Sequence, residues 1–295
     1  MVISLLGALV VGALLAVSGA VLQSVFRNAL ADPYILGMVG GAALFSALAV
    51  TLGVTAIGFL VLPAASLVGS CFSLSLVALV AYAVARCRRQ HGADGFIRSS
   101  YSTVVLSGFV VTGFTGSLEM LVVSYARPEA VKTITTWIFG SVNGITWPSV
   151  ALGAMALGVV AAVLYAYRRE LNVMELGHDE AQCLGVNTGR TMCVVLGTVA
   201  LATSVSVALA GMIGFVGLVM PHFARRLVGP RMQLLLPVSA AFGGAFLALA
   251  QLVSRLLPPD GGGMPVGVGV VCAVISAPFM LFLLVSRHNG EGWDV

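Results

Sequence analysis

Charged residues are scarce in this chain. Of its 295 residues, 9% are charged and 59% are hydrophobic, whereas soluble domains carry about 25% charged residues. The apolar residues form blocks of about 20, the length that a helix needs to cross the hydrocarbon core of a bilayer. They do not alternate with polar residues as the strands of a membrane barrel do. The composition therefore predicts an all-α polytopic membrane protein.

Groups that carry chemistry are also few. Lys132 is the sole lysine and no Gly-Lys dipeptide occurs, which excludes a phosphate-binding loop of the GxxxxGK[ST] kind. The sequence therefore cannot supply its own ATPase of that class. The cysteines have no CxxC or other metal-ligand spacing, and no catalytic constellation is present, so we predict no enzyme activity, no metal site and no cofactor. The cysteines are Cys71, Cys87, Cys183, Cys193 and Cys272.

The hydropathy pattern predicts nine membrane spans, separated by basic or Gly/Pro-rich breaks. The seventh is short and has the length of a half-helix. The predicted spans are residues 1–23, 35–54, 60–85, 101–125, 147–167, 191–210, 211–228, 234–257 and 265–286.

The basic residues set the orientation, because cytoplasmic loops of membrane proteins are enriched in Lys and Arg. If the C-terminus after Arg287 is cytoplasmic, 12 of the 15 basic residues fall on the cytoplasmic side. Arg127, Lys132 and Arg255 fall outside. We therefore predict a cytoplasmic C-terminus. The net charge of +4 comes from few residues, so we predict no nucleic-acid partner.

This orientation places Met1 outside, at the start of an apolar helix. Residues 1–23 lack the basic segment that precedes the apolar core of a signal peptide. We expect that a preceding helix is missing from this sequence; a miscounted pair of spans is the alternative.

Glu119 is the carboxylate that lies well inside a predicted span, toward its outer end. Ion-coupled carriers place acids or histidines within the membrane, where such groups are costly and usually functional. A single acid is weak evidence for a proton relay. A position that faces an aqueous cavity or a subunit contact explains Glu119 equally well. An ion-coupled secondary transporter and a structural subunit of a membrane complex therefore remain as alternatives.

Two polar segments lie between the predicted spans. Residues 170–189 contain apolar and charged positions that fit two short cytoplasmic amphipathic helices, broken near Gly177 and closed by Gly185. A separate ATPase subunit could bind such a helix pair, although an ordinary solvated loop fits the same sequence pattern. Residues 129–143 predict an external surface helix, with Trp137 at interfacial depth.

Four runs of sequence resemble the permease family of ATP-binding-cassette importers for iron chelates, haem and cobalamin. Two departures are Ala29, where proline is usual, and Ser276, in place of a glycine. The runs are VSGAVLQSVFRNALADPYILG (17–37), LGHDEAQCLGV (176–186), GMIGFVGLVMPHFARRLVGP (211–230) and MPVGVGVVCAVISAPFMLFLL (264–284).

This resemblance implies a single permease domain over residues 1–295 with the type II importer fold. Members of the family have ten helices, of which the first is the one expected to be missing here. They lie in the bacterial cytoplasmic (inner) membrane and move their cargo by alternating access. The implied partners are a second permease subunit, identical or related, two separate ATPase subunits, an extracytoplasmic substrate-binding protein and membrane lipid.

The resemblance also implies roles for particular residues. Arg255 would pair with an acidic residue of the docked binding protein. Family members also carry docking arginines just before the helix that aligns with residues 1–23, and Met1 to Ser4 contain none: either this sequence starts late, or docking relies on other groups such as Arg127 and Lys132. The residues assigned to ATPase coupling are Leu176, Gly177, His178, Asp179, Glu180, Ala181, Leu184, Gly185 and Val186. The residues assigned to the translocation pathway or to helix packing are Gly37, Gly40, Gly41, Glu119, Gly211, Gly214, Gly217 and Pro221.

Overall fold

The computed structural model describes residues 1–34, 36–58, 60–90, 98–257 and 266–288. Within these ranges the regular structure is entirely helical. The α-helices are α1 (Val2–Val25), α2 (Met38–Thr51), α3 (Val61–Gln90), α4 (Arg98–Ser124), α5 (Pro128–Ile138), α6 (Trp147–Ala166), α7 (Arg168–Met174), α8 (His178–Cys183), α9 (Thr188–Ala210), α10 (Val216–Val228), α11 (Met232–Leu256) and α12 (Val268–His288), with one 3-10 turn at Val54–Ile57.

Among the described residues, six helices are long and apolar enough to cross a bilayer: α1, α3, α4, α6, α9 and α11. The all-helical, membrane-spanning fold is therefore as predicted. Residues 91–97 between the third and fourth predicted spans, residues 258–264 between the eighth and ninth, and the C-terminal tail after residue 288 lie outside the described residues.

Two predicted spans are shorter in the structure than their hydropathy indicates. Helix α2 has 14 residues and α10 has 13, or about 20 Å at 1.5 Å per residue, against a hydrocarbon core of about 30 Å. Backbone conformation sets these limits. Gly37 and Gly53 have positive φ on either side of α2, and Gly211 and Phe215 have positive φ between α9 and α10.

Helix α1 forms the centre of the fold and packs against α6, α9, α10 and α11. It reaches α11 and α10 through glycines, since a methyl group at Gly12 would overlap the backbone of Gly243, and one at Gly19 would overlap the backbone of Gly217. Close approach of this kind favours helix association in lipid, where no hydrophobic force drives helices together. Of the six long apolar helices, α1 is the most buried, and its glycines allow α10 and α11 to pack closely against it.

Pro221 interrupts the hydrogen bonding of α10. Because proline has no N–H, the carbonyl of Gly217, four residues earlier, loses its usual helical donor. The side chain of Gln23 on α1 supplies a replacement: its Nε2 donates to the carbonyl oxygens of Gly217 (3.3 Å) and Leu218 (3.0 Å). Gln23 is 4% exposed, so the bond forms in the protein interior.

Candidate functional site

Helices α7 and α8 correspond to the two short helices predicted in residues 170–189, and they are separated by Glu175, Leu176 and Gly177. The residues that the sequence assigned to ATPase coupling, 176–186, form α8 and the turns on either side of it, and we call them the coupling segment. Gly177 has φ 143° and ψ 162°, a conformation that is almost exclusive to glycine. The inner faces of the two helices are buried through Leu171 and Ala181, so the pair packs on the bundle.

Helix α8 ends in a glycine-based cap. Gly185 has φ +83°, its N–H donates to the carbonyl of Gln182, and the N–H of Val186 donates to the carbonyl of Ala181. This pattern is the Schellman motif, which satisfies carbonyls at a helix end and turns the chain. The chain then enters α9, where the Asn187 side chain accepts a hydrogen bond from the Arg190 N–H.

The outer face of the segment combines apolar and acidic groups. Leu176 and Leu184 flank α8 and are 58% and 64% exposed. Asp179 and Glu180 lie between them in the first turn of α8 and are also exposed. Two exposed leucines beside two carboxylates form a small mixed surface of the kind that a protein partner covers.

Polar contacts tie α8 to α9. The Thr188 hydroxyl is 3.0 Å from His178 Nε2, and Gln182 Nε2 donates to the same hydroxyl at 3.0 Å. Thr188 is 2% exposed. His178 is therefore bonded to the next membrane helix while the residue itself remains exposed.

An ion pair ties the end of α7 to α10 and α1. Arg225 Nη1 donates to Glu175 Oε1 at 2.7 Å, and Arg225 Nη2 donates to Ser24 Oγ at 2.7 Å. Ser24 Oγ in turn donates to Glu175 Oε1 at 2.7 Å. The side chains of Arg225 and Glu175 are 12% and 20% exposed. Charged hydrogen bonds at such sites contribute about 1.5–3 kcal/mol each. We name this triad the Ser24–Glu175–Arg225 cluster; sequence reasoning missed it, because its members are far apart in the chain.

A second contact ties α7 to the start of α11. Asn172 Oδ1 accepts from the Met232 N–H at 2.9 Å, and Asn172 Nδ2 lies 3.3 Å from Gln233 Oε1. Arg231, the residue before α11, makes no side-chain cap of its own, so Asn172 satisfies an N–H of the first turn from another helix. A cavity of about 530 Å³ lies beside this contact and is also lined by Glu175 and Arg231.

Most of the glycines assigned to the pathway or to packing lie against backbone or side chains of neighbouring helices. A methyl group would overlap Thr115 at Gly40, the Gly69 carbonyl at Gly41, and the Trp137 carbonyl at Gly211. Gly37 begins α2 at φ +77°, and Gly217 meets Gly19 of α1. Gly214 differs, since no atom of the residues that the structure describes lies within 4 Å of the position a Cβ would take.

Two carboxylates are buried in the part of the chain that the structure describes. Glu119 on α4 is 8% exposed, and its Oε1 has no hydrogen-bond partner among the described residues. Asp32, in the connection between α1 and α2, is 4% exposed, and its Oδ1 accepts from the Tyr34 N–H at 2.8 Å. Sequence reasoning placed Asp32 in a break between spans and missed its burial; its position inside the 17–37 run was the available signal.

Arg255 lies at the opposite end of the bundle from the coupling segment. Its Nη2 donates to the hydroxyl of Ser4, near the start of α1, and is 3.2 Å from Asn143 Oδ1. The buried Gln251, one turn earlier on α11, donates to the same Asn143 oxygen at 2.6 Å. The arginine remains exposed while these contacts fix its direction.

The segment 129–143 contains α5 (Pro128–Ile138) followed by a turn at Gly140 with φ +71°. Trp137 does not stand free on the surface: it packs against the buried Val39, Ala42 and Val207. The interfacial depth of Trp137 stays a prediction.

Comparison with known proteins decides the family. The model of the FecCD transport family matches residues 2–286. The chain belongs to the FecCD transport family. It is 41% identical over 282 residues to the cobalamin import system permease protein BtuC of Halobacterium salinarum, which covers 94% of this chain and 70% of the relative.

Two further relatives place the FecCD chain in the same functional group. It is 34% identical over 282 residues to the Fe(3+) dicitrate transport system permease protein FecD of Escherichia coli K12, covering 95% of this chain and 82% of the relative. A solved metal-chelate type ABC transporter in an inward-facing conformation superposes with a TM-score of 0.83 at 28% identity, covering 97% of this chain and 85% of that chain. The chain is thus a multi-pass membrane permease of the ABC importer class.

Proposed function

We propose that the chain is the translocation subunit of an ATP-driven importer that carries an iron chelate, haem or cobalamin across the cytoplasmic membrane. It works as one of two permease subunits above two ATPases, and a binding protein delivers the cargo from outside. The ATPases hydrolyse ATP, and the permease itself catalyses no reaction.

The observation that carries this proposal is the exposed surface of the α7–α8 segment. Leu176, Leu184 and the acidic first turn of α8 project from a helix pair that is bonded to α1, α9, α10 and α11. A partner that moves α8 therefore acts on a helix pair that is itself bonded to the central helix α1 and to three of its neighbours. Such a surface suits an ATPase that drives rigid-body switching between two states.

The two ends of the bundle have different proposed partners. The coupling segment lies near Arg27 and Arg225, which belong to the basic set that predicts the cytoplasmic side. Arg255 lies at the other end, beside Ser4 and Asn143, where it would pair with a carboxylate of the binding protein. Residues 129–143 belong to the outer side in this orientation, and the C-terminus to the cytoplasmic side.

The experiment is uptake into proteoliposomes that contain the permease, its ATPase and its binding protein. Labelled ferric siderophores, haem and cobalamin are offered separately, with and without ATP inside the vesicles. We expect one cargo class to accumulate, and accumulation to require both ATP and binding protein. Scrambling residues 176–186 should abolish uptake while the permease remains in the membrane.

The buried Glu119 favours a second candidate, an ion-coupled carrier, because an acid within the membrane is costly to retain. That candidate predicts uptake that persists without ATP and follows an imposed pH or sodium gradient. Removal of the ATPase from the vesicles distinguishes the two functions directly.

A further inference from the structure

The short helix α7 is bonded to both helices of the α10–α11 pair. Its Asn172 contacts the first turn of α11, and Glu175, directly after it, pairs with Arg225 in the last turn of α10. The connection between α10 and α11 is short, from Gly229 to Arg231. Helix α7 therefore lies across this connection and is held on each side of it.

The side-chain hydrogen bonds of α8, in contrast, are made to the start of α9. Helix α8 is held to the beginning of α9 by His178, Gln182 and Thr188, and its other side is exposed. A displacement of α8 can therefore reach α10 and α11 by two routes: along the backbone through α9, or through Glu175 and Asn172 at the adjoining end of α7. The second route is much shorter.

We propose that Glu175 and Asn172 are positioning residues that transmit movement of the coupling segment to α10 and α11. This inference rests on the proposed function. Glu175 holds Arg225 and Ser24 together, so that α10 and the central helix α1 move with α7. Asn172 holds the N-terminus of α11 to the same helix.

The chemistry of the contacts suits a mechanical link. Arg225 reaches both Glu175 and Ser24 through two nitrogens of one planar guanidinium group, and such forked contacts fix direction as well as distance. The cluster is largely shielded from water, with side chains 12% and 20% exposed, so salt weakens it less than a surface pair. Loss of one partner leaves the other charge shielded and unpaired, which favours separation of the helices.

The test measures cargo molecules transported per ATP hydrolysed in proteoliposomes containing the complete importer. Glu175→Gln is compared with Glu170→Gln, a control that removes the same charge five residues earlier, from a side chain with no ion pair among the described residues. We expect Glu175→Gln to retain ATP hydrolysis but to lower transport per ATP about fivefold or more, the scale of a coupling free energy between sites. Glu170→Gln should remain near the wild-type ratio.

The exchange variant, Glu175→Arg with Arg225→Glu, separates a coupling role from a structural one. It restores an ion pair with the charges reversed, and we expect it to recover most of the transport per ATP that Glu175→Gln loses. Asn172→Leu, which removes the contact with α11, should lower the same ratio. If Glu175→Gln does not assemble, the exchange variant and Asn172→Leu decide the question.

An unchanged transport-to-ATP ratio in Glu175→Gln or Asn172→Leu would overturn the proposal. So would an exchange variant that assembles and hydrolyses ATP yet stays uncoupled. Failure of the proposed function is a different result, since the wild-type complex itself would then show no ATP-dependent uptake.

Discussion

Gln23 on α1 replaces the hydrogen-bond donor that Pro221 removes from α10. The Gly217 carbonyl lies four residues before the proline and accepts from Gln23 Nε2 at 3.3 Å, while the Leu218 carbonyl accepts from the same nitrogen at 3.0 Å. One side-chain amide on the central helix α1 therefore compensates for the proline in the short helix α10. A proline in a membrane helix is tolerated where a neighbour satisfies the freed backbone group in this way.

This pairing predicts that Gln23→Leu destabilises the permease by about 1–3 kcal/mol, because a buried carbonyl loses its donor. Pro221→Ala supplies a backbone N–H to the same carbonyl, so the cost of Gln23→Leu should shrink in that background. Denaturant unfolding of the four proteins in detergent measures this double-mutant cycle. Equal costs in both backgrounds would contradict the pairing.

The close approach of α1 and α10 predicts opposite effects for two Gly→Ala changes. Gly19→Ala places a methyl group on the backbone of Gly217 and should lower the unfolding midpoint or prevent assembly. Gly158→Ala on α6 meets nothing within 4 Å and should stabilise by about 0.5–1 kcal/mol through helix propensity. Thermal unfolding of both variants is the measurement, and equal effects would refute the packing assignment.

The break between α7 and α8 predicts a graded effect on binding of the ATPase. Gly177 occupies a region that only glycine adopts readily, so Gly177→Ala should distort the α8 surface at a cost of about 1–3 kcal/mol. Gly185 has φ +83° and open space around it, so Gly185→Ala carries the backbone cost of about 1–2 kcal/mol without a steric clash.

The affinity of the ATPase for nanodisc-embedded permease measures the difference. We expect Gly177→Ala to weaken binding more than Gly185→Ala. The reverse order would show that the ATPase does not depend on the geometry of this break.

The exposed Arg255 predicts a change confined to the binding protein. Arg255→Gln should lower the affinity of the cargo-loaded binding protein a few-fold, because an exposed ion pair contributes about 0–1 kcal/mol. The difference should diminish at high salt. Arg231→Gln, at the other end of the bundle, is the matched control and should leave this affinity unchanged. An Arg255→Gln variant that binds like the wild type at low salt would remove Arg255 from the docking surface.

Local sequence features predicted much of this fold. The six long spans follow from apolar runs, and the division of residues 170–189 follows from Gly177 and Gly185, whose backbone angles only glycine accepts easily. The short seventh span was predicted and corresponds to α10. The length of α2 and the exact start of α10 did not follow, because hydropathy continues past the positive-φ residues Gly37, Gly211 and Phe215.

Contacts between distant residues could not be predicted from one sequence. Gln23 and Gly217 are 194 positions apart, and Ser24 and Glu175 are 151 apart. Nothing in the local pattern of either residue indicates its partner. A proline within a helix implies that some neighbour must satisfy a free carbonyl, but the identity of that neighbour depends on how α1 packs against α10.

The ATP dependence of uptake is the most direct test of the proposed importer function. Proteoliposomes with the permease, ATPase and binding protein are loaded with ATP, with a non-hydrolysable analogue or with no nucleotide, and ion gradients are collapsed in every case. We expect accumulation of a labelled chelate, haem or cobalamin only in the vesicles that contain hydrolysable ATP. Accumulation without ATP, either in these vesicles or in a second series with an imposed pH or sodium gradient, would contradict the proposed function.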